Sequence, residues 1–376
     1  VEKDFCQFSL SNGVSIISKV DLGINEAILK DNQEFHNLPI EINPIFKVEL
    51  RLNEGKPKVL FSAPYEFFSE ELKNKWESLF SITYAYNAPK EIVLKLIEDA
   101  EIWVVSTCPP YFIDREIYKY GKRLTVIASP STGVTHLETG YLTENSIQLC
   151  TIKSSDFIKN IFASSESTFA LLLAMIKKMN LTLEQSKYGL WRENETDNRS
   201  IELNGKSIGI IGYGRIGKNL AKYCLAFGMQ VLIYDPFVTV NNAQITQYET
   251  KRMLLPNANI IALCYHLNDE TFGSFTKADF SLMQKSSYFL NTARGELIED
   301  GALLENLKNS HLRSAAIDVI PNESDLNKWS HPLIEYSRHN SNLLINPHVA
   351  GLTVDSESKA ATEILNEILN ALKVTS

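Results

Sequence analysis

The chain has 376 residues, enough for about two domains, and its 44% apolar and 22% charged residues are the balance of an ordinary globular protein. A net charge of -8 argues against a nucleic-acid binder, whose footprint is a basic patch, and against attachment to an anionic membrane surface. Five cysteines (Cys6, Cys108, Cys150, Cys224, Cys264) form no C-x-x-C and are odd in number, which speaks against a disulfide framework or zinc site and for a reducing, cytoplasmic setting.

Residues 1–56 read unlike the rest and are taken as an N-terminal extension of unknown role. Within them "FSLSNGVSIIS" has apolar runs either side of Asn12-Gly13, a hairpin signal because both residues tolerate positive φ. The opening "VEKDFCQF" lacks the basic and apolar regions of a signal peptide. From Lys58 the short apolar runs "KVLFSA", "IWVVST", "LTVIAS" and "IQLCTI" alternate with helix-like stretches such as "SEELKNKWESLF". Strands alternating with helices imply a parallel sheet covered on both faces. This makes residues 57–160 one α/β domain.

A helix from about Ser165 to Met179 follows, with Phe169, Leu172, Leu173 and Ile176 at helical spacing. Its apolar run "FALLLAMI" is far too short to span a bilayer. After a polar segment the alternation resumes with "SIGIIGYG", "QVLIYDP", "NIIALCYH", "SSYFLNTA", "RSAAIDVI" and "NLLINP", enough strands for a second doubly wound sheet over residues 161–350. A final helix, Ser356 to Leu372, lies beyond it.

"GIIGYGRIG" at 209–217 carries the G-x-G-x-x-G spacing between an apparent strand and an apparent helix, the context a dinucleotide site demands. Gly212 permits the tight turn, Gly214 lets the backbone approach a pyrophosphate, and Gly217 allows close helix–strand packing. Asp235 stands at the end of the second strand, at the distance expected for a ribose hydroxyl. A carboxylate about 4 Å from a 2′-phosphate would repel it by roughly 4 kcal/mol at an effective dielectric near 20, and Pro236 and Phe237 bring no offsetting cation, so NAD is favoured over NADP.

Three groups follow later strands: Arg294 in "LNTARGELIEDGAL", Asp318 and Glu323 in "AAIDVIPNES", and His348 in "LLINPHVAGLT". Carboxyl ends of strands are where open α/β sheets gather ligand contacts. Arg can hold a carboxylate with two parallel bonds, His exchanges a proton near neutral pH, and a Glu bonded to that His favours the imidazolium. The set needs no metal, and the other six histidines show no metal-ligand pairing. Taken singly each has an ordinary reading: a surface ion pair for Arg294, a solvated loop residue for Glu323, a structural histidine for His348. Cys264 resembles no nucleophile motif.

Together, "GIIGYGRIGKNLAKYCLAFGMQVLIYDP", "NTARGELI", "DVIPNES" and "PHVAGLT" resemble the D-isomer-specific 2-hydroxyacid dehydrogenase family, phosphoglycerate dehydrogenases among them. The resemblance implies two Rossmann-like or flavodoxin-like domains. The cofactor domain, 161–350, is inserted into a discontinuous substrate domain, 57–160 plus 351–376, with the active site in the cleft between them. It implies an NAD(H)-dependent oxidoreductase interconverting a small 2-oxo acid and a D-2-hydroxy acid. Arg294 would bind the substrate, His348 act as general acid and base, and Glu323 support it. Gly212, Gly214, Arg215, Ile216, Gly217, Asp235, Pro236, His266, Thr271 and Asp318 would contact the cofactor, Asp318 at the nicotinamide amide. Ser131, Thr132 and Gly133, in "SPSTGVTHLE", would grip the substrate carboxylate. The segment around Trp191 matches the family's dimer-forming region, so a homodimer is expected. Departures are His266 and Ser324 in place of common prolines, Asn346 in place of a common Thr, and Ser129 where phosphoglycerate dehydrogenases carry an Arg. The family also includes NAD-sensing co-repressors, so a partner-binding protein with little turnover stands as the alternative.

Overall fold

A computed structural model describes residues 5–9, 15–19, 46–109, 111–152, 156–323 and 330–374. The chain divides into two compact units, Val1–Ile158 with Val354–Ser376, and Lys159–Thr353. The turn expected at Asn12-Gly13 and the departure at Ser324 lie outside the described residues.

In the first unit, strands β4 (Lys58–Phe61), β5 (Ser81–Tyr84), β6 (Ile102–Val104), β7 (Val126–Ser129) and β8 (Gln148–Thr151) are parallel and lie in the order β5-β4-β6-β7-β8. That is the flavodoxin-like 2-1-3-4-5 arrangement. Three earlier strands, β1 (Phe5–Ser9), β2 (Ser15–Lys19) and β3 (Phe46–Arg51), continue the sheet beyond β5 by antiparallel pairing, with Glu49 opposite Tyr84. The runs either side of Asn12-Gly13 supply β1 and β2, and with β3 they extend the expected parallel sheet of β4 to β8 by an antiparallel edge.

Local chemistry places the covering helices. Ser69 accepts the Leu72 N–H at 3.2 Å and starts the helix Glu70–Leu79, which buries Leu72 and Trp76. Trp76 meets the Phe61 ring edge-on at 5.0 Å. The last helix, Val354–Val374, packs on β7 and β8 and buries Ala360, Ala361, Ile364, Leu365, Ile368 and Ala371, a stripe at helical spacing.

The second unit holds β9 (Ser207–Ile211), β10 (Gln230–Tyr234), β11 (Ile245–Gln247), β12 (Ile260–Leu263), β13 (Ser287–Asn291), β14 (Leu312–Ile317) and β15 (Leu343–Ile345). All are parallel, in the order β11-β10-β9-β12-β13-β14-β15. This is the Rossmann order with a seventh strand, and the order reverses between β9 and β12. Both faces are covered. Ile208, Ile210, Ile260 and Ala262 enter one apolar cluster, while Ile211, Ile261 and Leu263 enter the other. Residues alternate between two buried faces, so the strands read as unbroken apolar runs.

Six of the seven strands match those runs. The seventh, β11, is the short edge "ITQ", whose Thr246 and Gln247 are exposed, so no apolar run marks it. The helix expected through Met179 stops at Ile176, because Lys178 adopts φ 52° and a second helix, Met179–Lys187, starts after it.

Candidate active site

The glycine turn lies between β9 and the helix Arg215–Ala226. Gly212 has φ 94°, and an added Cβ would lie 2.5 Å from the Cys264 carbonyl oxygen at the end of β12. A Cβ on Gly217 would fall 2.1 Å from the Gly212 carbonyl oxygen, which is the close helix–strand approach expected there. At Gly214 a Cβ would meet nothing within 4 Å. That glycine therefore keeps space open at the first N–H groups of the helix, where backbone amides and the dipole favour an anion. A dinucleotide pyrophosphate fits this turn.

Asp235 follows β10 and is already engaged. Its Oδ2 accepts the Tyr213 N–H at 2.6 Å and its Oδ1 the Phe237 N–H at 2.8 Å. The carboxylate thus anchors the glycine turn, a role the sequence did not reveal, and each oxygen has a second lone pair for a ribose hydroxyl. Pro236 beside it is exposed, and Ile216 is half-buried. Arg215 turns its guanidinium to the Ile161 carbonyl, and burial pulls its pKa down. After β12, the Thr271 hydroxyl donates to the His266 carbonyl at 2.7 Å, so these two expected cofactor residues share one tight loop. Burial pushes the Cys264 thiol up to about 12, which leaves no thiolate for nucleophilic work near neutral pH.

The loops after β13, β14 and β15 are knitted together. Asn291, fully buried at the end of β13, accepts from the Ala293 N–H at 3.0 Å and donates to the Arg294 carbonyl at 2.9 Å. Thr292 meets Thr168 of the helix Ala163–Ile176, hydroxyl to hydroxyl at 2.7 Å. These contacts fix the backbone that carries Arg294, whose Nη1 donates to the Ala293 carbonyl at 2.6 Å. Gly295 then presses on the next loop: a Cβ there would be 2.1 Å from the Ile320 carbonyl carbon. Glu296 accepts the Asn322 N–H at 3.0 Å, directly before Glu323.

Glu323 accepts the Ile320 N–H on Oε1 at 3.0 Å and pairs through Oε2 with His348 Nδ1. The expected Glu–His pair is therefore formed, with both side chains half-buried. Asp318 stands behind it, 1% exposed. Its Oδ1 accepts from Asn346 Nδ2 at 2.6 Å and from the Val349 N–H at 3.0 Å, and its Oδ2 from the Ala350 N–H at 3.0 Å. Burial pushes the Asp318 carboxyl up, and the Ala350 and Val349 amides, Asn346 and the nearby His348 draw it back. In this arrangement Asp318 holds the loop that carries His348. Asn291, Asn346 and Glu296 were missed as supporting residues. The only signal for Asn291 was its place between an apolar run and a turn.

In the first unit, Ser131, Thr132 and Gly133 follow the carboxyl end of β7 and are all half-buried. Ser131 donates to the Gly133 carbonyl at 2.6 Å and lies 3.0 Å from the hydroxyl of fully buried Ser129. His136, read from sequence as structural, stands on this loop with Nε2 3.5 Å from that hydroxyl. Among the described residues, no helix is long and apolar enough to cross a membrane.

Residues 169–350 match the model of the D-isomer specific 2-hydroxyacid dehydrogenase NAD-binding domain. Over those residues the chain is similar to this dehydrogenase family. A D-3-phosphoglycerate dehydrogenase of Methanocaldococcus jannaschii is 28% identical over 300 residues, 79% of this chain and 54% of the relative. The chain thus spans about half the length of the curated relatives it matches. Among solved structures, the TT0316 protein from Thermus thermophilus is similar with a TM-score of 0.72 and 28% identity, covering 84% of this chain and 97% of that one. A D-lactate dehydrogenase from Aquifex aeolicus, solved with NAD and lactic acid, shares the fold at a TM-score of 0.67 and 24% identity, over 84% of this chain and 95% of that one. The glycine turn, Asp235 and the Rossmann-ordered strands all lie within the residues that match this NAD-binding domain.

Proposed function

We propose that the protein reduces a small 2-oxo acid to the D-2-hydroxy acid, and runs the reverse oxidation, with His348 as the proton-exchanging group. The Glu323–His348 pair carries this reading, set at the carboxyl ends of β14 and β15 with the Arg294 loop packed on the same segment. NAD would be held by the turn at Gly212, Gly214 and Gly217, by the start of the helix at Arg215 and Ile216, and by Asp235, with Pro236, His266 and Thr271 on adjoining loops. When bound as NADH it supplies the hydride.

The residues do the rest. Arg294 offers a planar fork of donors to the substrate carboxylate and carbonyl oxygen, which fixes orientation and stabilises charge growing on that oxygen. His348 engages Glu323 through Nδ1, so Nε2 is the nitrogen that delivers a proton to the carbonyl oxygen in reduction and removes it in oxidation. Glu323 orients the ring and offsets the imidazolium charge. Ser131, Thr132 and Gly133 bind the substrate carboxylate. Ser129 supplies no cation for a phosphate, which weighs against a phosphorylated substrate. We further propose a homodimer formed through the segment of Trp191, which is 80% exposed, and Tyr188, which is 77% exposed.

The test is NADH oxidation by purified protein against glyoxylate, pyruvate, hydroxypyruvate, 3-phosphohydroxypyruvate and branched and aromatic 2-oxo acids. Turnover of one class supports the reading and reports the pocket's size and charge. Silence across the panel with NADH binding intact would overturn it in favour of a partner-binding role. Asp235→Ala should narrow the preference for NADH over NADPH. Because Asp235 also anchors Tyr213 and Phe237, it should weaken binding of both cofactors, read as dissociation constants by nucleotide fluorescence. A wild type that already prefers NADPH would remove Asp235 as the discriminator.

A further inference from the structure

His348 adopts φ 54°, a left-handed backbone that a residue with a Cβ takes only when its surroundings enforce it. The enforcing contacts converge on one residue. The His348 N–H donates to the Asp318 carbonyl at 2.8 Å and to the Asn346 carbonyl at 3.0 Å, while the Asp318 carboxylate takes the N–H groups of Val349 and Ala350. Asp318 thus grips the loop on both sides of His348. Of the three donors to its carboxylate, two are backbone amides that any sequence could supply. The third is the side chain of Asn346, and it makes the shortest of the three contacts, 2.6 Å.

We propose that Asn346 is a positioning residue for His348: its amide fixes the buried Asp318 carboxylate, and the fixed carboxylate holds the His348 backbone at the angle that points Nδ1 to Glu323. This deepens the functional reading and rests on it only for the kinetic readout. Asn346 is itself anchored, since its N–H donates to the Ile317 carbonyl at 2.8 Å as β14 ends, so its side chain has a defined origin. Without the amide, Asp318 Oδ1 loses one of its two donors, and a buried carboxylate short of a partner seeks another geometry. The loop that it clamps would follow. Reaction geometry is sensitive to this, because a displacement of about 1 Å can cost on the order of 100-fold in rate.

The experiment compares wild type, Asn346→Ala and Asn346→Thr by two measurements. The first is the Nδ1 proton resonance of His348 in histidine-labelled protein, assigned by its loss in His348→Ala, which reports the bond to Glu323 without need of turnover. The second is the steady-state rate on whichever 2-oxo acid the panel yields. Asn346→Ala should shift that resonance upfield or broaden it away and lower kcat by about 10- to 100-fold with KM and NADH affinity little changed. Asn346→Thr, which restores a donor, should recover most of both. A resonance and kcat unchanged in Asn346→Ala would overturn the proposal. So would Asn346→Ala and Asn346→Thr falling equally, since that is the pattern of lost packing. If the panel is silent, an upfield-shifted resonance recovered by Thr still supports the positioning role while the proposed activity falls.

Discussion

His348→Ala is expected to lower turnover of a 2-oxo acid by about 100- to 10,000-fold, the usual range for losing a positioned acid or base, and to leave NADH affinity nearly unchanged. The split follows from where the residue stands. The dinucleotide turn is built from β9, β10 and the helix at Arg215, whereas His348 follows β15 and is held by Asp318 and Glu323. In the proposed mechanism its ring serves proton exchange, and the residue is remote in the chain from the glycine turn. Glu323→Gln should produce a smaller loss with a changed pH profile, because the imidazolium loses its countercharge. Stopped-flow transients that isolate the chemical step are the proper measurement. Undiminished chemistry in His348→Ala would remove the residue from the mechanism.

Gly295→Ala is expected to damage the second unit severely for a single added methyl. A Cβ there would sit 2.1 Å from the Ile320 carbonyl carbon and 2.3 Å from the Pro321 nitrogen. Both are backbone atoms, so no side chain can swing aside, and φ at Gly295 is not positive, so the cost is steric. Overpacking a tight site usually costs about 1–3 kcal/mol, and a backbone-on-backbone clash belongs at the upper end or beyond. For a unit of this size that corresponds to a fall of roughly 6–12 °C in melting temperature. Turnover should fall too, since the relief route pushes Ile320 and Pro321 and so moves Glu323, which caps the Ile320 N–H. Calorimetry decides it: an unchanged melting temperature would mean that the two loops do not meet as described.

Much of this was legible because both faces of the second sheet, and of β4, β6 and β7 in the first, are buried. Such strands declare themselves as apolar runs, and six strands of the second unit and four of the first did so. What escaped has a physical cause in each case. Strand β11 is an edge with Thr246 and Gln247 in solvent, so it carries no pattern. The early end of the helix at Ile176 depends on one left-handed lysine, Lys178, a residue type with no local signature for that angle. The Glu323–His348 pair joins loops that follow separate strands, so spacing and chemistry could nominate each residue but not show that they meet. Asn291 and Glu296 act on loop backbones and Asn346 on the Asp318 carboxylate, and nothing in their local sequence tells a structural amide or carboxylate from a solvated one.

The last helix has a consequence for how the chain is made. The first unit is split: its sheet is finished at Thr151, but the helix that buries Ala360, Ile364, Leu365 and Ile368 against β7 and β8 begins at Val354. During synthesis from the N-terminus, β7 and β8 lack this helix while the whole of Lys159–Thr353, a continuous stretch, is translated and free to fold. The first unit therefore has all its parts only after the whole of the second has been translated. Over that interval the apolar face of β7 and β8 is the surface that a chaperone would hold, and release of the final turn of helix is the event that seals it.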